Sequence, residues 1–371
     1  MSGPLTGKTI IEVGHMLAGP YCGMLLSDLG ARVIKVESPE GDIGRKIGPN
    51  SVGGYNTYFA SLNRGKESVT LDLASEEGRA GLAKLTGMAD GLLTNLRPTA
   101  IKKLGLTYDS LKAVKPTLAC LALTGYGLDG PYADSPAYDY VIQAMTGVLL
   151  LTGDPDGPPV KPGFSAVDNS AGIMGALGLV AKILEGKGGQ VDVSMYDTMM
   201  SQLNYLGSSY LNTGEHTVRI KDGAHPYIVP AQLFPTQDGH IVLFITHDKF
   251  WRLFANSLNE PDWLDDPRFA KMSGRSANRD LVVNQIAKRL MEKPAEAWVE
   301  QLAPLGLVVA SICTLPDALE GPLSASRDMV VEIPVDDGKL RLIGSAIKNV
   351  GEAPSFRAPP ALGEHNALLL G

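Results

Sequence analysis

The sequence predicts an α/β protein, with a parallel, doubly wound sheet in the first half and a smaller α+β region after it. Three observations carry this. Short apolar strand patterns alternate with helical ones from Thr9 to Leu123. Beyond about residue 225 the pattern changes to a hairpin followed by a long helical tract. With 371 residues, 44% of them hydrophobic and 20% charged, the chain is long enough to bury more than one core.

The opening tract reads as a strand over Thr9 to Val13, a glycine-rich turn, a helix from about Pro20 to Leu29 stopped by Gly30, and a strand over Val33 to Glu37. Further strands are expected over Ser68 to Leu73, Gly91 to Thr94 and Thr117 to Leu123. Helical spacing runs over Glu76 to Ala89, and another helix begins near Pro98. A long helix is expected from about Ser170 to Leu184, cut off by GKGG, then a strand over Gln190 to Ser194 and a helix from about Tyr196 to Tyr210. AQLFPTQDGHIVLFIT reads as two strands around a D-G turn, and Trp251, Phe254, Leu281, Ile286, Leu290 and Trp298 are core candidates of the helical tract. The domain boundaries that follow are a large Rossmann-like domain over 1–210 and 325–371, a polar linker over 211–224, and a small α+β domain over 225–324.

Composition narrows the function. A net charge of -7 argues against a general nucleic-acid binder, which needs surplus Lys and Arg over a face. Cys22, Cys120 and Cys313 lie far apart with no C-x-x-C pair, so they read as buried small hydrophobes. The start MSGPLTGKTI lacks the basic and apolar run of a secretory signal, and no stretch of about 18 uninterrupted apolar residues is present, so a cytoplasmic protein without a membrane span is expected. No two histidines share a metal-ligand spacing, and zincin, P-loop and nucleophile-elbow motifs are missing, which leaves carboxylate chemistry.

Three constellations remain. Gly14, Gly19 and Gly23 in the first βα turn do not match G-x-G-x-x-G, so a tight turn is preferred to dinucleotide binding even though Glu37 stands where a ribose ligand would. In TNLRPTAIKKLGL, Arg97, Lys102 and Lys103 place three cations within seven residues beside a helix start, which is either a local anion site or a solvated basic face. In GFSAVDNSAGIMGALG, Asp168 precedes a helix whose first turns are nearly all small. That pattern fits a helix cap packed tightly, and it also fits an ionised carboxylate with something close to the helix face.

Taken together, the tracts GHMLAGP with DLGARVIKVE, NRGKESVTLDL, TNLRPTAIKKLGL, LTGYGLDGPYADSPAYDYVIQAMTG, GDPDGPPVKPGFSAVD, WLDDPRF with GRSANRD, and RAPPALGEH resemble the class III CoA-transferase family, which includes formyl-CoA transferase, carnitine CoA-transferase and α-methylacyl-CoA racemase. The resemblance covers almost the whole chain. It implies an interlocked-ring homodimer and coenzyme A as co-substrate, with no metal and no nucleotide. The implied partners are an acyl-CoA donor and a small carboxylate acceptor, with no nucleic acid and no membrane. Asp168 is placed as the nucleophile, and CoA contacts fall at His15, Ala18, Leu71, Leu73, Asn95, Leu96, Arg97 and Lys103. Tyr138 and Asp139 fall on the substrate side. Backbone amides near Asn169 are placed to stabilise the tetrahedral oxyanions.

The resemblance leaves a racemase and a non-catalytic acyl-CoA-binding protein as rivals. A racemase has histidine where this chain has Tyr138, and a tyrosine of ordinary pKa near about 10 is a poor base at neutral pH. The presence of Asp168 within its full motif argues against a mere binding protein. Leu17 and Ser38 replace a glutamine and an arginine that formyl-CoA transferase uses near CoA, and only Gly223 within DGAHPYIVP represents that enzyme's glycine loop, so formyl-CoA and oxalate are not implied as the specific substrates.

Overall fold

The computed structural model describes residues 3–351 and 356–371. The chain divides into two compact units, one comprising 1–146, 162–204 and 319–371, the other 147–161 and 205–318. The second unit thus takes in Gly147–Lys161 and begins at Tyr205, inside the expected large domain, and the expected linker contains the end of a helix over Asn204–Thr213.

In the first unit six strands form one parallel sheet: β1 Thr9–Val13, β2 Arg32–Glu37, β3 Glu67–Thr70, β4 Gly91–Thr94, β5 Ala119–Thr124 and β6 Gly189–Ser194. Their order is β3-β2-β1-β4-β5-β6. The direction of winding therefore reverses between β1 and β4, and in open α/β sheets ligands collect at the carboxyl ends of the strands flanking such a reversal. Strands buried on both faces read as continuous apolar runs, as ACLALT does. The C-terminal tail returns to this unit: Asn366 bonds both the Thr70 amide and its hydroxyl at 2.9 and 2.7 Å, and His365 pairs with Ser68, covering the edge strand β3.

Two helices pack on the sheet and on each other: α1, Ala18–Asp28, and a long helix, Ala166–Glu185. The second starts four residues earlier than expected. By length and composition alone it is apolar enough to cross a membrane, yet Ala171, Gly172, Gly175, Ala176 and Leu179 are buried. Its small residues are explained by close packing rather than by a ligand: a Cβ on Gly172 would stand 2.9 Å from the Tyr21 ring and 3.0 Å from the Ala18 carbonyl. The expected helix over Tyr196 to Tyr210 is broken at Leu203 into Met195–Gln202 and Asn204–Thr213. Cys22 and Cys120 are buried, but Cys313 is exposed, contrary to expectation.

Beneath the β1–α1 turn lies a fully buried charge cluster that alternation alone would read as sheet polar positions. Lys35 Nζ bonds Glu12 Oε1, Asp42 Oδ2 and the Gly14 carbonyl at 2.8, 2.8 and 2.9 Å. Lys66 Nζ bonds the other Glu12 oxygen, the Pro20 carbonyl and Asn63 Oδ1 at 2.7, 2.8 and 2.9 Å. Burial pulls the Lys66 pKa down to about 8, with Glu12 opposing. Gly23 is required here, since a Cβ would stand 2.0 Å from Glu12 Oε2.

The second unit carries a three-stranded antiparallel sheet of β7 Ala231–Pro235, β8 His240–Phe244 and β9 Val308–Ser311, with β8 central. Trp251, Phe254, Ile286, Leu290 and Trp298 form its core with the stacked rings of Trp263 and Phe269, while Leu281 is only partly buried.

Removing one partner of a buried ion cluster strands the others, so Lys35→Met is expected to cost about 3–5 kcal/mol. Lys8→Met, which removes a half-exposed pair with Asp90, is expected to cost under about 1 kcal/mol. Urea unfolding of both variants checks this, and equal losses would contradict it.

Candidate active site

The site grows from the winding reversal. After β1 and Gly14 the chain turns through His15 and Met16, whose φ of 66° is left-handed. Two contacts hold this uncommon conformation: the Met16 amide donates to Asp42 Oδ1 at 3.2 Å, and Lys35 holds the Gly14 carbonyl. After β4, Asn95 reaches across the reversal, accepting from the His15 amide at 3.0 Å and donating to the His15 carbonyl at 2.9 Å. Gly14 and Gly19 make room for that side chain, because a Cβ on either would lie within 2.8 Å of the Asn95 amide group.

The close approach at Gly172 brings the start of the long helix, α6 below (Ala166–Glu185), beside the start of α1. Asp168 stands one turn before Gly172, so it shares that face and enters a cavity of about 470 Å³ at the α1 start. The helix cap is Ser165, which makes no side-chain cap bond, so Asp168 lies within the first turn and is not the cap its sequence position allowed. The same cavity is lined by His15, Ala18, Asn95, Leu96, Arg97, Tyr138 and Asp139. A second cavity of about 730 Å³, sharing His15, Met16, Leu96 and Tyr138, is lined by Leu71, Leu73 and Leu104.

Seven of the sequence-derived positions therefore share the cavity with Asp168, and Leu71 and Leu73 join the adjoining one. Lys103 lines neither, and it is exposed on the last turn of α4, Pro98–Lys103. The basic segment is not an open helix start either: Pro98 has no N–H and the Thr99 amide is bonded to Asp134 at 2.8 Å. Bonds from the Thr99 side chain and amide, with Lys102 and Arg97 nearby, hold the Asp134 carboxyl below its usual range. Leu17 lines the smaller cavity and Ser38 the larger one.

Two expectations change. The Asn169 amide donates to the Ser165 carbonyl at 3.1 Å within its own helix turn and is not free for an oxyanion. Asp139 lines the cavity but is buried, and its oxygens accept from the Val167 amide at 2.8 Å and the Gln143 amide at 2.5 Å rather than facing a substrate. The α1 start offers donors instead. Leu17 makes no side-chain cap bond, Pro20 has no N–H, and the Tyr21 amide donates to the Leu17 carbonyl at 2.7 Å, so among the described residues the Ala18 and Gly19 amides are the first-turn donors left open.

Tyr58 was missed by sequence reasoning. It lies on the short helix α2, Thr57–Asn63, which Asn56 caps by accepting from the Phe59 amide at 3.1 Å. It lines the Asp168 cavity, and burial, reinforced by the charges of Asp168 and Asp42, pushes its phenol up to about 12, leaving it a neutral donor. Burial, followed by the Asp139 charge, pushes the Asp168 carboxyl up to about 7. Among the described residues none donates a hydrogen bond to that partly buried carboxylate.

The profile of CoA-transferase family III matches residues 5–366. The acetyl-CoA:oxalate CoA-transferase of Acetobacter aceti is 34% identical over alignments covering 99% of this chain and 95% of that protein. The succinate–glutarate CoA-transferase of Agrobacterium fabrum is 33% identical, again over 99% of this chain and 95% of the relative. Among solved structures, a CAIB/BAIF family protein from Brucella suis is similar with a TM-score of 0.87 and 33% identity, over 100% of this chain and 99% of that one.

An unfolded aspartate loses its proton near about 3.9, whereas folded Asp168 keeps it to about 7. The native state binds the extra proton between those values, so this residue's contribution to stability falls as pH rises through the window. Asp168→Asn abolishes that slope: its stability gain over the parent is expected to be near zero at about pH 4 and to reach about 1–3 kcal/mol by about pH 8. Thermal unfolding across this range checks it, and a gain independent of pH would contradict it.

Proposed function

The chain belongs to CoA-transferase family III, and from that premise we propose that it moves CoA from an acyl-CoA thioester to a small dicarboxylic acid through a covalent intermediate on Asp168. The observation carrying this reading is the Asp168 carboxylate, partly buried and without a hydrogen-bond donor among the described residues, on the wall of a cavity beside the uncapped start of α1. The relatives named for oxalate and for succinate and glutarate support a dicarboxylate as acceptor.

In the first step an Asp168 oxygen attacks the thioester carbonyl carbon, and the carbon–sulfur bond breaks to give a mixed anhydride and CoA thiolate. The thiolate then attacks the aspartyl carbonyl, releasing the donor acid as its carboxylate and leaving an aspartyl-CoA thioester. The acceptor carboxylate attacks that carbonyl and expels the thiolate, giving a second anhydride. The thiolate attacks the acceptor side of it, forming the new acyl-CoA and restoring Asp168. The thioester free energy is held in covalent form at each stage, so no external energy source enters. Amides of the α1 first turn, with the neutral Tyr58 phenol, are suited to the oxyanion of each tetrahedral stage.

The larger cavity suits the far end of CoA, with Leu71, Leu73 and Leu104 as its apolar wall and Arg97 beside it at the smaller one for the phosphates. An interlocked homodimer belongs to the same reading. It is supported by the exposed Ile173, Leu177 and Leu184, which share one stripe of α6.

Incubation with acyl-CoA donors and a panel of small mono- and dicarboxylic acids, read by mass spectrometry, is expected to yield new CoA thioesters with dicarboxylates preferred. Hydroxylamine after donor treatment is expected to mark Asp168, and Asp168→Asn to lose turnover by about a thousandfold or more. Rapid exchange of the proton α to the thioester with no acid accepting CoA would sink the transferase reading.

A further inference from the structure

Asp139 and Asp168 are two carboxylates of one cavity in unlike surroundings. Asp139 opens the helix α5, Asp139–Met145, and is 4% exposed. One of its oxygens accepts from the Val167 amide at 2.8 Å and the Asp168 amide at 3.4 Å, the other from Gln143 Nε2 at 2.5 Å. Val167 and Asp168 are the second and third residues of α6, whose own cap residue, Ser165, supplies no side-chain bond. These are the amides that a local cap would otherwise satisfy. The supporting Gln143 is fully buried and among the described residues its Oε1 has no partner, so the bond to Asp139 accounts for the direction in which its amide points.

We propose that Asp139 is the positioning residue of the nucleophile: a carboxylate from a separate helix closes the first turn of α6, fixes the backbone from which Asp168 projects, and holds a negative charge directly behind it. The inference rests on Asp168 being the nucleophile. A helix start ordinarily favours an ionised carboxylate in its first turn. Here Asp139 takes the donors and the dipole end. Asp168 keeps the basicity that its burial confers, which makes its carboxylate a stronger nucleophile once deprotonated. This is the general pattern in which neighbouring acids are driven apart by their environments. The titratable groups lining the same cavity as Asp168 are His15 from the β1–α1 turn, Tyr58 from α2, Arg97 from the α4 start, and Tyr138, Asp139 and Tyr140 at α5.

The test is the pH dependence of kcat/KM for the acyl-CoA donor in the full-length protein. Asp139→Asn keeps the shape and removes the charge: its carbonyl still accepts from Val167, and turning over the Gln143 amide lets Oε1 accept from the new side-chain NH2. The acid limb is expected to move to lower pH by about one unit, with kcat at alkaline pH reduced because a weaker base attacks more slowly. Asp139→Ala leaves two amides unpaired and is expected to lower kcat about tenfold or more at every pH, with KM for the donor within about twofold of the parent. Gln143→Leu spares the bond to Val167 while withdrawing the donor that steadies the Asp139 charge, and it is expected to shift the limb in the same direction, by less. It decides the matter if Asp139→Asn does not fold. An acid limb superimposable on the parent's in the folded variant overturns the proposal. Asp168→Asn separates the two failures: if it retains acylation, the covalent reading falls whatever Asp139 does, and if it is inactive while the limb stays put, only the role of Asp139 falls.

Discussion

The Lys35 ammonium has no access to water, and the local architecture follows from how it is compensated. An isolated charge at that depth would cost several kcal/mol, so its partners are dictated: Glu12 from the neighbouring strand, Asp42 from the loop after β2, and the Gly14 carbonyl. Burial alone would lower the Lys35 pKa, but Glu12, Asp42 and Glu37 together raise it, so the charge persists. Each partner then constrains something else. Glu12 shares its second oxygen with Lys66 and forbids a side chain at Gly23. Asp42 receives the Met16 amide and so holds the left-handed turn from which His15 faces the cavity. A set of buried ion pairs thus becomes a rule about where the β1–α1 turn runs.

Most of the sheet was legible because parallel strands buried on both faces write themselves as unbroken apolar runs, and the helices between them carry a period that no strand shares. The short elements were not. The ribbon of Ser51–Val52 and Tyr55–Asn56 and the helix carrying Tyr58 are too brief and too polar to show a period, and their place is set by Asn56 bonding back to Ile47 and capping forward to Phe59. The buried charges were also hidden. RVIKVE reads as an ordinary strand whether its lysine faces water or a carboxylate, since burial belongs to the partner and not to the residue.

At the site, the residue types were legible and their roles less so. Asp168 stands out beside a run of small residues, and the pattern correctly announces close approach at that helix face. What approaches is the backbone of α1 at Ala18, and this contact carries Asp168 to the winding reversal. The roles of Asp139 and Asn95 required tertiary information, because each acts on a loop or helix far away in sequence. A carboxylate capping a helix 28 residues on leaves no local signature, unlike a cap within its own turn.

The electrostatic logic of the cavity follows from who claims the backbone amides. A carboxylate in the first turn of a 20-residue helix would normally gain from two or three amides and become a weak base. A weak base is a poor nucleophile toward a thioester, and a good leaving group from an anhydride. A strong base attacks well but is protonated at neutral pH. A carboxyl poised at about 7 stands between these limits. It is ionised in a substantial fraction of molecules while retaining basicity gained from burial. The arrangement requires only that another acid satisfy the helix start, which the buried Asp139 does.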